Sequence, residues 1–161
     1  MGGVLRADRG RRRVWEVSRD GAPLTTIHPA RRSETLALPD GPLRRWTEGF
    51  VAPTDVLGDG RGFPLARTGR RGWRDLTFWV DGRWHGLWRA PGTPQRWVLY
   101  EGPWVYGAAD LEIAATGRWT DALRRPRAVV VDMPPLSFVG ELFVLLVLVG
   151  DLVAREESSS M

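Results

Sequence analysis

Two arginine clusters set beside tryptophan are the residues of this chain best suited to chemistry. Arg11, Arg12 and Arg13 precede Trp15, and Arg67, Arg70, Arg71 and Arg74 surround Trp73. A guanidinium carries a permanent charge and a planar fork of donors that matches phosphate oxygens. An indole beside it adds a flat apolar face. The mixture suits an anionic partner, either a nucleic-acid strand held by phosphate contact and base stacking or an anionic membrane surface. Asp8, Glu16 and Asp75 lie among the arginines, so a solvated, ion-paired face is the plainer reading of the same residues.

Other candidates are thinner. The stretch Gly58-Asp59-Gly60-Arg61-Gly62 invites a phosphate-loop reading, yet that fingerprint needs G-x-G-x-x-G leading into a helix. Here the third glycine is displaced and Phe63-Pro64-Leu65 follows, so a plain loop is expected. His28 and His85 are the only imidazoles and there is no cysteine. A transition-metal site would therefore need carboxylates gathered from separate strands, and neither metal nor cofactor is expected. No G-x-S-x-G elbow is present, and Ser18, Ser33 and Ser137 lack a neighbouring base. The absence of lysine excludes a Schiff base or a P-loop ammonium, and the absence of cysteine excludes disulfides and thiolate catalysis. A carboxylate pair assembled by folding is the one route left to an enzyme.

The 161 residues are enough for one domain. All 23 basic residues are arginine, a usage that, with so much Gly and Pro, looks like a high-GC bacterial chain. Residues 1–80 hold 15 Arg against 9 acids, whereas residues 81–161 hold 8 Arg against 10 acids, which places the basic face on the first half. Met1 to Arg19 has no apolar segment of the signal-peptide kind. A cytoplasmic protein, peripheral at the membrane at most, is the expectation.

The elements that must position these groups are short strands. Apolar or aromatic runs alternate with turn signals at the spacing of a sandwich or barrel, predicting strands at residues 13–18, 23–28, 34–38, 43–48, 63–68, 74–80, 83–89, 96–100, 104–106, 111–116 and 127–131. Asp20-Gly21, Asp40-Gly41 and Asp81-Gly82 supply turns, because both residues tolerate positive φ. Leu76, Phe78 and Val80 alternate with polar or aromatic partners before Asp81-Gly82, which predicts a hairpin over residues 74–89. Nine tryptophans fall about one per strand, as rings that wedge between strands would.

Leu136 to Ala154 is different. It is almost wholly apolar, interrupted by Gly140 and Gly150, with Glu141 and Asp151 bracketing nine residues. As a helix it would measure about 28 Å, barely a bilayer span, and an acid near mid-membrane costs roughly 2.5 to 3.5 kcal/mol. A helix apolar on every side needs apolar surroundings on every side, and a wide barrel of short strands supplies them. The expected fold is mainly β: a closed antiparallel barrel of about twelve short strands around a hydrophobic C-terminal helix. One domain, residues 1–155, includes that helix at 136–154, and residues 156–161 form a disordered tail.

This layout, with Ser137 to Ala154 as its most suggestive segment, resembles the tubby C-terminal-like superfamily, which includes phospholipid scramblases and LURP-one-related proteins. The resemblance implies a helix threaded through a twelve-stranded barrel, and lipid binding as a function class. No site residue carries over, since the lysines used by tubby proteins have no counterpart here and the acidic calcium segment of scramblases is missing. The expectation is a non-catalytic domain binding an anionic phospholipid headgroup or a protein partner through Arg11, Arg12, Arg13, Arg67, Arg70, Arg71 and Arg74, with nucleic acid not favoured as partner. A tail-anchored membrane protein and a small barrel enzyme with a carboxylate site are the alternatives.

Overall fold

The computed structural model describes residues 3–72, 74–90, 96–101, 104–112 and 127–159, excepting the side chains of 155–159. Twelve strands precede one helix: β1 Leu5–Arg9, β2 Trp15–Arg19, β3 Ala22–Ile27, β4 Ser33–Leu36, β5 Leu43–Glu48, β6 Thr54–Asp59, β7 Pro64–Arg71, β8 Asp75–Val80, β9 Arg83–Arg89, β10 Arg96–Glu101, β11 Trp104–Glu112, β12 Ala128–Asp132 and α1 Phe138–Ser159.

Period-two burial explains the strands. In β8, Leu76, Phe78 and Val80 are buried while Asp75, Thr77 and Trp79 face outward. Asp81 and Gly82 then turn the chain at φ values of 55° and 77°, the geometry for which this pair was expected, and Val80 pairs with Arg83 in the returning strand. Repeated along the chain, the same device makes a meander. Every strand from β4 to β11 pairs antiparallel with its successor, and β12 pairs with β1, which continues to β2 and β3. The sheet thus curls until its two edges, β3 and β4, stand side by side. The barrel is closed except at that seam.

Side chains pin the seam where the ladder does not. Glu34 of β4 accepts the backbone N–H of His28 at 2.9 Å and contacts the His28 ring. Arg45 of β5 donates to Glu34 at 3.0 Å and also to the carbonyl of His28. Glu34 and Arg45 are nearly buried, with 5% and 13% of their side-chain surfaces exposed. Burial pushes the Glu34 carboxyl up, but the His28 and Arg45 donors and the Arg45 charge outweigh it and hold the group below its ordinary value.

The helix fills the barrel. Leu142, Leu145 and Val149 are completely buried, and Phe143, Val144, Val147 and Leu148 nearly so, in one cluster with Leu5, Trp15, Leu57, Phe78, Leu87 and Val131 from the wall. Its apolar faces are covered by strands, and no helix among the described residues is long and apolar enough to cross a membrane. Ser137 caps the first turn: its Oγ accepts from Gly140 N at 3.2 Å, while its own N–H and hydroxyl donate to Asp81 of the β8–β9 turn.

Four elements differ from expectation. Two strands, β1 and β6, were not expected, and β11 is one continuous strand where residues 104–106 and 111–116 were read as two; residues 113–116 lie outside the described residues. The weak strand formers Gly107, Ala108 and Ala109 hid the continuity. A Cβ at Gly107 would fall 2.7 Å from the backbone of Asp132 and Met133, so the neighbouring strand demands glycine there. The helix starts at Phe138 and runs to Ser159, beyond the expected end at Ala154 and into the stretch read as a tail.

Candidate functional site: a basic rim on the barrel

Because the strands form a meander, their turns alternate between the two ends of the barrel, and charge follows the alternation. At the end where α1 finishes, the turns after β1, β3 and β7 carry Arg11, Arg12, Arg13, Arg31, Arg32 and Arg74, and the described turn residues at that end include no acid. At the end where α1 begins, the described turns carry Asp20, Asp40 and Asp81 and one arginine, Arg61. The turns after β1, β3, β5 and β7 are consecutive around the ring, so the arginines line one continuous arc built by the first half of the chain.

Local structure holds this arc outward. Gly10 N donates to the Val14 carbonyl at 2.7 Å and Val14 N to the Arg11 carbonyl, closing a tight loop in which Arg12 and Arg13 take φ values of 56° and 61°. Arg11, Arg12 and Arg13 are all exposed. Arg31 follows the clamped His28 and is also exposed, and Gly72 N bonded to the Asp75 carbonyl at 2.8 Å presents Arg70 and Arg74. Arg11, Arg12, Arg31, Arg70 and Arg74 make no side-chain hydrogen bond or ion pair among the described residues.

Two of the expected cations play other parts. Arg71 turns inward and its Nη2 donates to Asp55 at 2.8 Å and to Asp151 of α1 at 2.9 Å. Its charge is spent tying the end of the helix to the wall. Arg67 stands mid-strand on the outer face, in register with Val56 on one side and Trp79 on the other, away from the rim. The turn arginines after β1, β3 and β7 come from the first half, Arg127 before β12 adds one from the second half at the same end, and Arg67 and Arg71 lie apart from them.

The other candidate chemistry is absorbed by packing. Asp59 Oδ1 accepts the N–H groups of Arg61 and Phe63, each at 2.9 Å, and Gly62 N bonds the Asp59 carbonyl. The glycine-rich turn thus spends the N–H groups of Arg61, Gly62 and Phe63 on its own aspartate and does not aim them at a phosphate. His85 lies 3.1 Å from the Val80 carbonyl through Nε2 and stacks on Phe78 at 5.2 Å. Among the described residues no three His, Cys, Asp or Glu side chains gather in a metal-binding cluster.

A cleft of about 200 Å³ opens on the basic end between α1 and the β3, β5, β6 and β7 ends, lined by Arg45, Trp46, Asp55, Arg71 and Asp151 among others. It holds two carboxylates, but both accept from the same Arg71 nitrogen. Acid–base work needs one carboxyl set apart from its partner in a contrasting environment, and a shared guanidinium imposes the opposite.

The most exposed apolar pair among the described residues lies outside the site expected from sequence. Phe50 and Val51, in the turn after β5, are 89% and 100% exposed. The available signal was an apolar pair inside Gly49-Phe50-Val51-Ala52-Pro53, where turn chemistry leads one to expect polar residues. Trp15 and Trp97 are core residues, while Trp84, Trp88 and Trp104 are exposed on the outside; Trp73 and Trp119 lie outside the described residues. Compared with family models, curated proteins and solved structures, the chain matches none.

Proposed function

We propose that this chain is a non-catalytic barrel domain that docks its basic rim on an anionic phospholipid surface. The segregation of charge between the two sets of turns carries the reading. Five exposed arginines without side-chain partners among the described residues lie at the same end of the barrel, and each contributes about 1 kcal/mol near a surface of anionic lipid. That is sufficient for reversible attachment that weakens with salt. The layout resembles the tubby-like group, but a barrel by itself carries no function; the rim supports the proposal.

Vesicle flotation tests it. The protein is expected to float with phosphatidylcholine vesicles containing phosphatidylserine, and to stay behind with phosphatidylcholine alone or at roughly 1 M salt, where screening acts within about 3 Å. Changing Arg11, Arg31 and Arg74 together to Glu should lower binding at least about tenfold without lowering the melting temperature, while Arg61→Glu on the opposite end should leave it unchanged. Binding indifferent to lipid charge, or retained by the triple variant, would overturn the proposal.

A further inference from the structure

We infer that the β5–β6 loop is a wedge that seats Phe50 and Val51 below the headgroups, so that the partner of the basic rim is a bilayer and not a dispersed polyanion. The inference rests on the basic-rim reading and adds a second, apolar component to it. Phe50 and Val51 adjoin in sequence and are the most exposed of the large apolar side chains among the described residues. Gly49, at φ 83°, turns the chain so that both project from the rim, and residues Gly49 to Pro53 carry no charge.

The loop is held in place. Arg32 Nη2 donates to the carbonyls of Thr47 and Gly49, both at 3.3 Å, and the Arg32 guanidinium lies over the Phe50 ring at 4.6 Å. A cation stacked at the base of an apolar tip sits where the phosphates would be when the tip is in the acyl region. Around the ring the loop falls between the Arg31–Arg32 turn and the turn presenting Arg70 and Arg74, so cations flank it on both sides. The nearest acid in the chain, Glu48, accepts the Trp46 indole N–H at 2.9 Å.

Other exposed apolar side chains sharpen the assignment. Phe63 is 70% exposed, but it lies at the opposite end, where Asp20, Asp40 and Asp81 would repel an anionic bilayer. Only the loop after β5 combines a bare apolar tip with a surrounding positive charge among the described turns. The combination fits an interface that is anionic at one depth and hydrocarbon a few ångströms deeper.

The chain has no cysteine, so a single introduced thiol reports on one position. Val51→Cys carrying an NBD fluorophore should shift to the blue on phosphatidylserine-containing vesicles and be quenched by a nitroxide placed on the acyl chain. The same probe at Phe63→Cys should not respond. Changing Phe50 and Val51 together to Ser should weaken vesicle binding by about tenfold or more while leaving binding to inorganic polyphosphate intact. A silent Val51 probe on protein that still floats overturns the wedge and leaves the rim reading standing. Absence of flotation in the unlabelled parent protein overturns both.

Discussion

At the acidic rim, Asp20 accepts the Val4 N–H at 3.2 Å, Asp59 takes two N–H groups of its own turn, and Asp81 takes the Ser137 N–H at the head of α1. At the basic rim, the guanidinium groups of Arg11, Arg12, Arg31, Arg70 and Arg74 bond no group among the described residues, whereas that of Arg32, in one of the same turns, bonds the carbonyls of Thr47 and Gly49. The contrast follows from donor and acceptor chemistry. Turns leave N–H groups unpaired, a carboxylate satisfies them, and a guanidinium, having donors only, does not. Asp20, Asp59 and Asp81 are therefore explained by the backbone groups they satisfy, whereas the five arginines are left facing solvent, which is the observation the proposed docking rests on.

The two ends also differ in how a buried carboxylate is kept. Near the basic end, Glu34 is held below its ordinary pKa by His28 and Arg45 despite burial. Near the acidic end, burial pushes Glu141 of α1 above its ordinary value, and the Met133 N–H and the Arg19 charge only partly offset that, with Asp132 adding to it. A lowered folded value stabilises at neutral pH and loses that contribution as pH falls through it. A raised one does the reverse, and stability declines as pH rises from about 4.5 through the folded value.

The largest effect is expected from breaking the seam clamp. Glu34→Ala leaves Arg45 and the His28 N–H without their acceptor in a nearly buried place, at a cost of about 3 kcal/mol. The melting temperature should fall by roughly 6 to 12 °C, and the acid side of the stability profile, read by urea titration at several pH values, should flatten. A loss of less than about 1 kcal/mol would mean that the seam holds by other means. Next, Asp81→Ala removes the brace under the helix cap and should cost about 1 to 2 kcal/mol, with vesicle binding unchanged. If binding changed as well, the division of labour between the rims would be wrong. Smallest is Glu141→Gln, which keeps an acceptor for Met133 N and removes a buried charge. Stability at neutral pH should move by less than about 1 kcal/mol, and its decline above about pH 4.5 should shrink.

The barrel was legible because its evidence is local and periodic. Alternation around Asp81-Gly82 predicts a hairpin, and a helix apolar on all sides implies a wall around it. Strand β6 was not legible, since Gly58 breaks its pattern for a reason set by a neighbour: a Cβ there would meet the Trp46 ring at 2.7 Å. The basic face could be assigned to the first half by counting charges. Which arginines share the arc depends on the alternation of turns between ends, so Arg31 and Arg32 were passed over. The ion pairs of Arg71 were not legible because its two acids lie 16 and 80 residues away in the chain, and spacing gives no sign of them.

The position of α1 after β12 has a consequence for how the protein comes to be. During synthesis the wall emerges first, and β1 waits for a partner strand more than a hundred residues later. Until the axle is released the nascent barrel has no filling, and its inward Leu, Val and Phe side chains must be shielded or loosely collapsed. Assembly is thus deferred until α1 has emerged, and the chain is most exposed to aggregation just before then.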